Sequence, residues 1–254
     1  MKLFYRQSGA GKPLIILHGL FGSSDNWFSL AKVFAKKYSV YLVDQRNHGQ
    51  SQQSDDFNYK LLAEDLYAFI QEHNLDKPNI IGHSMGGKTA MNFAVKYPDH
   101  LEKLIVVDIA PKAYPVHHDH ILDGLQDIDI DALKSRSEAD TILSKQVPQP
   151  EVRQFLLKNL YRTSEGKFQW RINLQAIDNH IEEIGEGMQY PGIFQGPTLF
   201  INGAHSNYFK PDDESLIHSL FPSAKIITLD TGHWVQAENP EEFATTVISF
   251  LSNE

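Results

Sequence analysis

One stretch constrains the fold of this chain more than any other: residues 79–90, which read NIIGHSMGGKTA. Its apolar start is typical of a short strand, its centre has the pattern Gly-x-Ser-x-Gly, and the residues that follow have the spacing of a helix. Gly82 and Gly86 permit a very tight turn, which lifts Ser84 above the end of the strand. Backbone N–H groups at the start of the helix then face any negative charge that develops there. This context predicts a nucleophilic serine, and an ordinary strand-to-helix turn is the alternative.

The composition of the chain excludes several classes of protein. The 254 residues are 41% hydrophobic and 22% charged, which suits one large globular domain or a core with an insertion. No apolar run is long enough to span a membrane and the first residues do not resemble a signal peptide, so we expect a cytoplasmic protein with no membrane partner. The net charge of −9, without a basic cluster, argues against nucleic acid. The sequence has no cysteine, which excludes disulfides and fits a reducing compartment.

The first half of the chain alternates apolar runs with helical patterns. Residues 14–17, 40–43 and 104–107 are continuous apolar runs, typical of strands buried on both faces, and residues 59–73 have apolar positions at helical spacing. This alternation predicts an α/β fold with a mainly parallel sheet flanked by helices. In such sheets, ligands bind at the carboxyl ends of the strands, where Ser84 is expected.

The alternation stops after Asp108 and resumes near residue 198. Residues 110–190 contain no β-branched apolar run, and prolines separate four helical patches at 121–125, 132–143, 152–160 and 174–184. We predict an inserted helical cap at 110–190, with residues 1–109 and 191–254 forming the two parts of the core. The alternative is that these helices simply extend the cover of the sheet.

A serine hydroxyl becomes a good nucleophile only with a base to take its proton and a third group to orient that base. Of the 12 histidines, His233 lies in the loop between the last strand and the final helix, at the same edge of the sheet as Ser84, and is the predicted base. The predicted acid is Asp108, which closes the strand that follows the serine helix and is one strand away. A carboxylate that only caps the entry to the cap is the alternative role for Asp108, and other candidates for the acid are Asp212, Asp213 and Asp230.

An acyl-transfer site also needs N–H donors for the oxyanion. The N–H of Met85, directly after the serine, is one predicted donor. The loop after residues 14–17 should supply the second, with Leu20 preferred and Phe21 as the alternative. Gly19 allows close backbone approach and His18 is expected to brace the loop, although the loop could also be a simple turn.

Several other side chains have predicted roles. His83 should pack or hydrogen-bond locally, while Asp44 and Arg46 should hold their loop to Ser51 through salt bridges and caps. The run His117-His118-Asp119-His120 has the composition of a metal site, but no other feature completes one, so we expect a solvated cap entrance and no metal. The predicted substrate-binding residues are aromatic: Phe21, Phe155, Trp170 and Trp234. For the two in the cap, Phe155 and Trp170, the alternative is a role in the core of the cap, and the same two roles are open to Tyr161 and Phe168.

Five motifs together carry a resemblance to a known family, and they are residues 18–22 (HGLFG), 44–51 (DQRNHGQS), 82–88 (GHSMGGK), 108–111 (DIAP) and 232–234 (GHW). They resemble the capped α/β-hydrolase esterases of the YbfF type, which are similar to the α/β-hydrolase domain-containing protein 11 group of animals. The resemblance implies an α/β-hydrolase fold and cofactor-free hydrolysis of carboxylic esters through an acyl-enzyme. It also implies short to medium acyl chains, with thioesters as substrates of some members.

The chain departs from the wider superfamily at two positions. Most of those relatives have glycine where Asn47 stands, and their acid usually lies in the loop after residues 199–201, where this chain has Ser206. A C–C bond hydrolase or lyase on the same scaffold, or a receptor that binds a small molecule without hydrolysis, remains an alternative. Ser84 and His233 count against the receptor, and Ser84 excludes dehalogenases and epoxide hydrolases because both need a carboxylate there.

Overall fold

The computed structural model describes residues 1–115 and 119–252. Its strands, in chain order, are β1 (Tyr5–Ser8), β2 (Lys12–Leu17), β3 (Tyr38–Val43), β4 (Asn79–His83), β5 (Leu104–Val107), β6 (Leu160–Arg162), β7 (Phe168–Trp170), β8 (Thr198–Gly203) and β9 (Ala224–Leu229). Its helices are α1 (Phe28–Phe34), α2 (Tyr59–Glu72), α3 (Met85–Lys96), α4 (Asp119–Gln126), α5 (Arg136–Leu143), α6 (Pro150–Leu157), α7 (Leu174–Asn179), α8 (Ile181–Gly185), α9 (Asp213–Leu220), α10 (Val235–Glu238) and α11 (Pro240–Ser252).

Seven of the strands form one sheet in the order β1-β3-β2-β4-β5-β8-β9. Only the edge strand β1 pairs antiparallel, with β3, and every other neighbouring pair is parallel. Successive residues of β4 face opposite sides: Ile80 packs in the core with α2 and α3, and Ile81 packs in the core with α1 and α11. The predicted α/β-hydrolase fold, a mainly parallel sheet flanked by helices, is confirmed, and its central strands β4, β5 and β8 are buried on both faces as a doubly covered sheet requires.

The described residues between β5 and β8 add no strand to this sheet. They form the helices α4 to α8 and a separate antiparallel pair, β6 with β7. We call residues 110–190 the cap segment. Its apolar side chains pack in a third core cluster with Phe57, Tyr59 and Leu62 of the sheet-bearing part. The division of the chain into a core and a cap stays a prediction.

The secondary structure of the cap segment differs from the expectation in two ways. The sequence pattern predicted only helices, whereas β6 and β7 form a hairpin of three-residue strands, too short for a period of two to stand out. The helix expected over 152–160 ends at Leu157, and the one expected over 174–184 is divided at His180 into α7 and α8.

Among the described residues, no helix has both the length and the apolar character that crossing a membrane would require.

Candidate functional site

Ser84 is the single residue between β4 and α3. Its backbone has φ of 53° and ψ of −117°, a strained combination for a residue with a side chain. The turn leaves no room on either side: a Cβ at Gly82 would lie 2.2 Å from the carbonyl oxygen of Gly86, and one at Gly86 would lie 2.5 Å from that of Leu17. The two glycines therefore allow the close approach that holds Ser84 at the carboxyl edge of the sheet.

The structure brings Asp108 and His233 together at the same edge. Asp108 directly follows β5, and its Oδ2 accepts a hydrogen bond of 2.6 Å from Nδ1 of His233. Its Oδ1 accepts the N–H of Gly203 at 2.9 Å, and the hydroxyl of Ser206 donates to Oδ2. Asp108 is only 1% exposed, so these three donors take the place of water around its carboxylate and fix its orientation.

The other carboxylates considered from the sequence have different partners. Asp213 forms an ion pair with Lys112 at 2.7 Å, and Asp230, whose side chain is 88% exposed, pairs with His205 at 2.7 Å. Asp212 occupies the N-cap position of α9. Among these candidates, only Asp108 has a hydrogen bond to His233 in the described structure.

Two aromatic side chains hold the His233 loop against the serine turn. Nε2 of His83 donates to the backbone carbonyl of His233 at 2.9 Å, so the contact expected to be local instead joins two distant loops. Burial, with the nearby His233, lowers the pKa of His83 to about 3, so its imidazole is neutral. Tyr208 stacks on the ring of His233 with centroids 4.1 Å apart.

The loop after β2 is braced by two neutral histidines. His18 donates from Nδ1 to the carbonyl of Gly19 at 2.8 Å and accepts the N–H of Gln45 at Nε2, 3.0 Å away. Burial lowers the pKa of His18 to about 4 and that of His48 to about 3, so both rings keep an unprotonated nitrogen that accepts. The contacts of His18 are those of a brace, because both of its ring nitrogens are engaged.

The contacts of Phe21 decide between the two candidate oxyanion donors in this loop. The N–H of Phe21 points to Nε2 of His48 at 3.2 Å, and its carbonyl accepts a hydrogen bond of 2.7 Å from Asn159 of the cap segment. Phe21 is therefore held away from an oxyanion role. This favours Leu20, which lines the same cavity as Met85 and Ser84.

The loop that begins at Asp44 is held differently from the expectation. Asp44 accepts the backbone N–H groups of Ser24 at 2.6 Å and Gln50 at 2.9 Å. Arg46 forms its salt bridge with Asp65 of α2, with Nε and Oδ2 2.7 Å apart. The expected caps are present at Asp44, whereas the ion pair of Arg46 uses a helix residue that the sequence analysis did not identify.

A cavity of about 710 Å³ opens beside the serine turn, between the sheet edge and the cap segment. Ser84 lies in its wall with both predicted oxyanion residues. The described residues that line it are Leu20, Tyr59, Ser84, Met85, Lys88, Ile109, Lys112, Ala113, Tyr114, Pro115, Ile181, Ile184, Gly185, Asn207, Tyr208 and Lys210.

The prediction that four aromatic residues line the substrate pocket is not supported for this cavity. Among its described lining residues there is no Phe21, Phe155, Trp170 or Trp234. Phe21 is 3% exposed and belongs to the third core cluster, and Trp170 packs against that cluster. The ring centroids of Phe155 and Trp234 lie 5.6 Å apart, so these two side chains contact each other. Of the four, only Phe21 is fully buried, whereas Phe155, Trp170 and Trp234 are half-buried, so their role in substrate binding stays a prediction.

The pocket residues that the sequence analysis missed include three tyrosines and three lysines. The sequence could have indicated Lys88 as a pocket residue, because it follows Ser84 by one helical turn and so lies on the same face of α3. Tyr59, Tyr114 and Tyr208 lie far from Ser84 in sequence, and no local pattern connects them with it.

The histidine-rich run at 117–120 falls partly outside the described residues, which omit 116–118. Its expected role as a solvated entrance therefore stays a prediction. Elsewhere in the described chain, no group of three or more histidine, aspartate or glutamate side chains has the arrangement of a metal site.

Known proteins with similar sequences and structures share this fold. Residues 12–127 match the family described as alpha/beta hydrolase fold. The chain is 39% identical over 253 residues to the sn-1-specific diacylglycerol lipase ABHD11 of Danio rerio, covering 96% of this chain and 79% of that protein. It is 32% identical over 243 residues to Esterase YbfF of Escherichia coli, covering 95% and 93% of the two chains.

A solved structure described as a marine microorganism esterase is 44% identical, with a TM-score of 0.96 over 98% of this chain and 99% of that one. At this similarity, the relationship extends through the cap segment as well as the sheet. The chain therefore belongs to the α/β-hydrolase family, in the group that includes the ABHD11 lipases and esterase YbfF.

Proposed function

We propose that this chain is a serine esterase that hydrolyses small carboxylic esters, and in the same way thioesters, through an acyl-enzyme. As a member of this family it is a carboxylic ester hydrolase. One observation carries the proposed mechanism: the strained Ser84 faces a cavity at the sheet edge that also carries the hydrogen-bonded pair of His233 and Asp108.

The proposed reaction uses groups with stated roles. Nε2 of His233 takes the proton of Ser84 as Oγ attacks the ester carbonyl carbon, and the N–H groups of Met85 and Leu20 stabilise the oxyanion. When the C–O bond breaks, His233 gives the proton to the leaving alcohol. A water molecule, deprotonated by His233, then attacks the acyl-enzyme and releases the acid and Ser84. Asp108 holds the Nδ1–H tautomer and stabilises the imidazolium.

The cavity supports acyl groups of short to medium length. Its volume of about 710 Å³ lies within the usual range of small-molecule sites, and Ile109, Ile181 and Ile184 provide apolar wall. We propose that the cap segment roofs the site. The name of the animal relatives makes diacylglycerol a substrate to include in a screen. The proposed chemistry needs no cofactor.

The first test is removal of the nucleophile. Ser84→Ala should lower kcat on p-nitrophenyl butyrate by roughly 10³-fold or more, because the acyl-enzyme can no longer form. A fluorophosphonate should label the intact protein once, at Ser84. Ser219→Ala is the matched control, since this hydroxyl lies on α9 and donates to the carbonyl of Leu216, outside the site. Labelling that survives in Ser84→Ala would contradict the assignment.

Kinetics with p-nitrophenyl butyrate also distinguish the esterase from the two alternative functions, a small-molecule receptor and a C–C bond enzyme. A burst of p-nitrophenol followed by turnover is the signature of an acyl-enzyme. Binding without any release of p-nitrophenol would favour the receptor. Labelling at Ser84 together with silence on an ester series would favour C–C bond chemistry.

A further inference from the structure

The lining of the cavity has a charge opposite to that of the chain. Its described residues include Lys88, Lys112 and Lys210 and no aspartate or glutamate, whereas the whole chain carries a net charge of −9. A positive lining in an acidic protein concentrates anions in the cavity.

Among the three lysines that line the cavity, Lys88 is the one nearest to Ser84 along the chain. It lies one turn along α3 from Ser84, to whose carbonyl its backbone N–H donates at 3.1 Å. Its side chain therefore leaves the helix on the same face as Ser84, about 6 Å further along the axis at about 1.5 Å per residue. Lys88 is 2% exposed, so any partner of its ammonium must come from the protein or from a ligand in the cavity.

The protein satisfies the ammonium of Lys88 only in part. Nζ donates to the carbonyl of Gly185 at 3.1 Å and to the carbonyl of Glu186. It also lies 4.8 Å from the ring centroid of Tyr114 and 5.4 Å from that of Tyr59, which attract the charge without accepting a conventional hydrogen bond. An ammonium has three N–H donors, so one is left for a ligand. Burial lowers the pKa of Lys88 to about 7, partly offset by the charge of Glu186, which reflects the cost of keeping this charge out of water.

The other two lysines differ from Lys88. Lys112 is neutralised by Asp213, whose two carboxylate oxygens each lie 2.7 Å from its Nζ. Lys210 has an exposed side chain, so water satisfies its charge. Of these three described lining lysines, Lys88 is thus the buried one that forms no salt bridge with a carboxylate, and its position one helical turn from Ser84 suits a second charge on a short acyl group.

We infer that the acyl group of the preferred substrate ends in a carboxylate that binds the ammonium of Lys88, so that the substrates are monoesters of short dicarboxylic acids. This inference rests on the proposed esterase function and specifies its substrate class. Hydrolysis proceeds at the ester carbonyl through Ser84, and the distal carboxylate takes no part in bond breaking. Its ion pair with Lys88 orients the acyl chain and replaces the hydration that the ammonium has lost.

The test compares two esters of nearly equal shape. Monomethyl glutarate carries the distal carboxylate, and the corresponding methyl ester with a terminal carboxamide is its neutral counterpart. The wild-type protein should hydrolyse the carboxylate with kcat/KM at least about tenfold higher at neutral pH, mainly through KM, as expected for one charge-assisted hydrogen bond. Lys88→Met should bring the ratio of the two close to about one, and Lys88→Arg should restore part of it.

Lys96→Met is the matched control, because Lys96 lies on the same helix but is exposed and has its ammonium over Tyr190, outside the cavity. It should keep the wild-type ratio. A second measurement needs no variant: free glutarate should inhibit wild-type turnover of p-nitrophenyl butyrate at least about tenfold more strongly than glutaramide, its diamide, by the same charge argument.

The outcomes separate the two proposals. Equal kcat/KM for the two methyl esters in the wild-type protein, or a wild-type ratio kept in Lys88→Met, would overturn the carboxylate site and leave the esterase intact. If Lys88→Met does not fold, equal inhibition by glutarate and glutaramide would overturn it. Absence of any ester turnover and of labelling at Ser84 would instead refute the proposed function.

Discussion

At the scale of single residues, the proposed mechanism divides between Asp108 and Ser206 a task that one carboxylate performs in most of the superfamily. The loop after β8 holds Ser206 where an acid was expected, and its hydroxyl donates to Oδ2 of Asp108. The same oxygen accepts Nδ1 of His233 at 2.6 Å. The loop after β5 thus supplies the negative charge, and the loop after β8 orients it through Ser206 and the N–H of Gly203.

Substitution of the acid tests this division. We expect Asp108→Asn to keep the fold and to lower kcat by about 10² to 10⁴, because the imidazolium loses its counter-charge and the histidine its tautomer. Ser206→Ala should lower kcat by less than about tenfold, since it removes one hydrogen bond to a carboxylate that keeps two others. Steady-state kinetics on p-nitrophenyl butyrate measures both effects. Near-full activity of Asp108→Asn, with loss of activity in Asp213→Asn or Asp230→Asn, would show that the acid lies elsewhere.

At the scale of secondary-structure elements, the short helix α8 is the helix of the cap segment whose described residues line the cavity, beside the loop residues 112–115. Ile181, Ile184 and Gly185 line the cavity, and the carbonyl of Ile184 accepts the hydroxyl of Tyr59 from α2 at 2.9 Å. Trp170 lies in β7 and packs against the third core cluster instead. Acyl-chain preference should therefore depend on α8 more than on the aromatic side chains of the cap segment.

We expect Ile184→Ala to shift the preferred p-nitrophenyl ester to a longer acyl chain, because it enlarges the cavity. Each additional methylene that the enlarged wall accommodates should raise kcat/KM by about fourfold relative to wild type, from about 0.8 kcal/mol per buried methylene. Trp170→Ala is the matched comparison and should lower thermal stability without a change in the chain-length profile. A profile that changes with Trp170→Ala and is unaffected by Ile184→Ala would show that the acyl chain lies elsewhere.

At the scale of the whole molecule, neutral histidines join the loops at the sheet edge. His18 and His48 accept backbone N–H groups of Gln45 and Phe21, and His83 donates to the carbonyl of His233. Burial lowers the pKa of His18 to about 4 and those of His48 and His83 to about 3. In the unfolded chain these groups titrate near their ordinary pKa of about 6.5.

This difference predicts how stability depends on pH. Below about pH 6.5, the unfolded chain binds protons that the folded chain does not, so the free energy of unfolding falls as the pH falls towards the folded pKa values. Each of the three histidines should contribute up to about 1.4 kcal/mol per pH unit in that window. Urea unfolding between about pH 7.5 and 5 measures the slope. A free energy of unfolding that stays constant over this range would contradict the prediction.

Local patterns were enough to predict the sheet and the serine turn. The apolar runs at 14–17, 40–43 and 104–107 lie within β2, β3 and β5, because burial on both faces leaves a signal in each strand by itself. Gly82 and Gly86 identify the turn for a similar reason: the space that they provide is set by residues within one strand and one helix, together with the adjacent end of β2.

Contacts between distant segments were decided only by the tertiary structure. The partner of Arg46 is Asp65, and Phe168 of the cap segment packs in a core while Tyr114 and Lys88 line the cavity. The amino-acid sequence by itself determined the central strands of the main sheet and the turn that holds Ser84, because those depend on neighbours along the chain. Which carboxylate meets His233, and which side chains the substrate meets, depends on how loops more than a hundred residues apart pack across the sheet edge, and no periodicity encodes that.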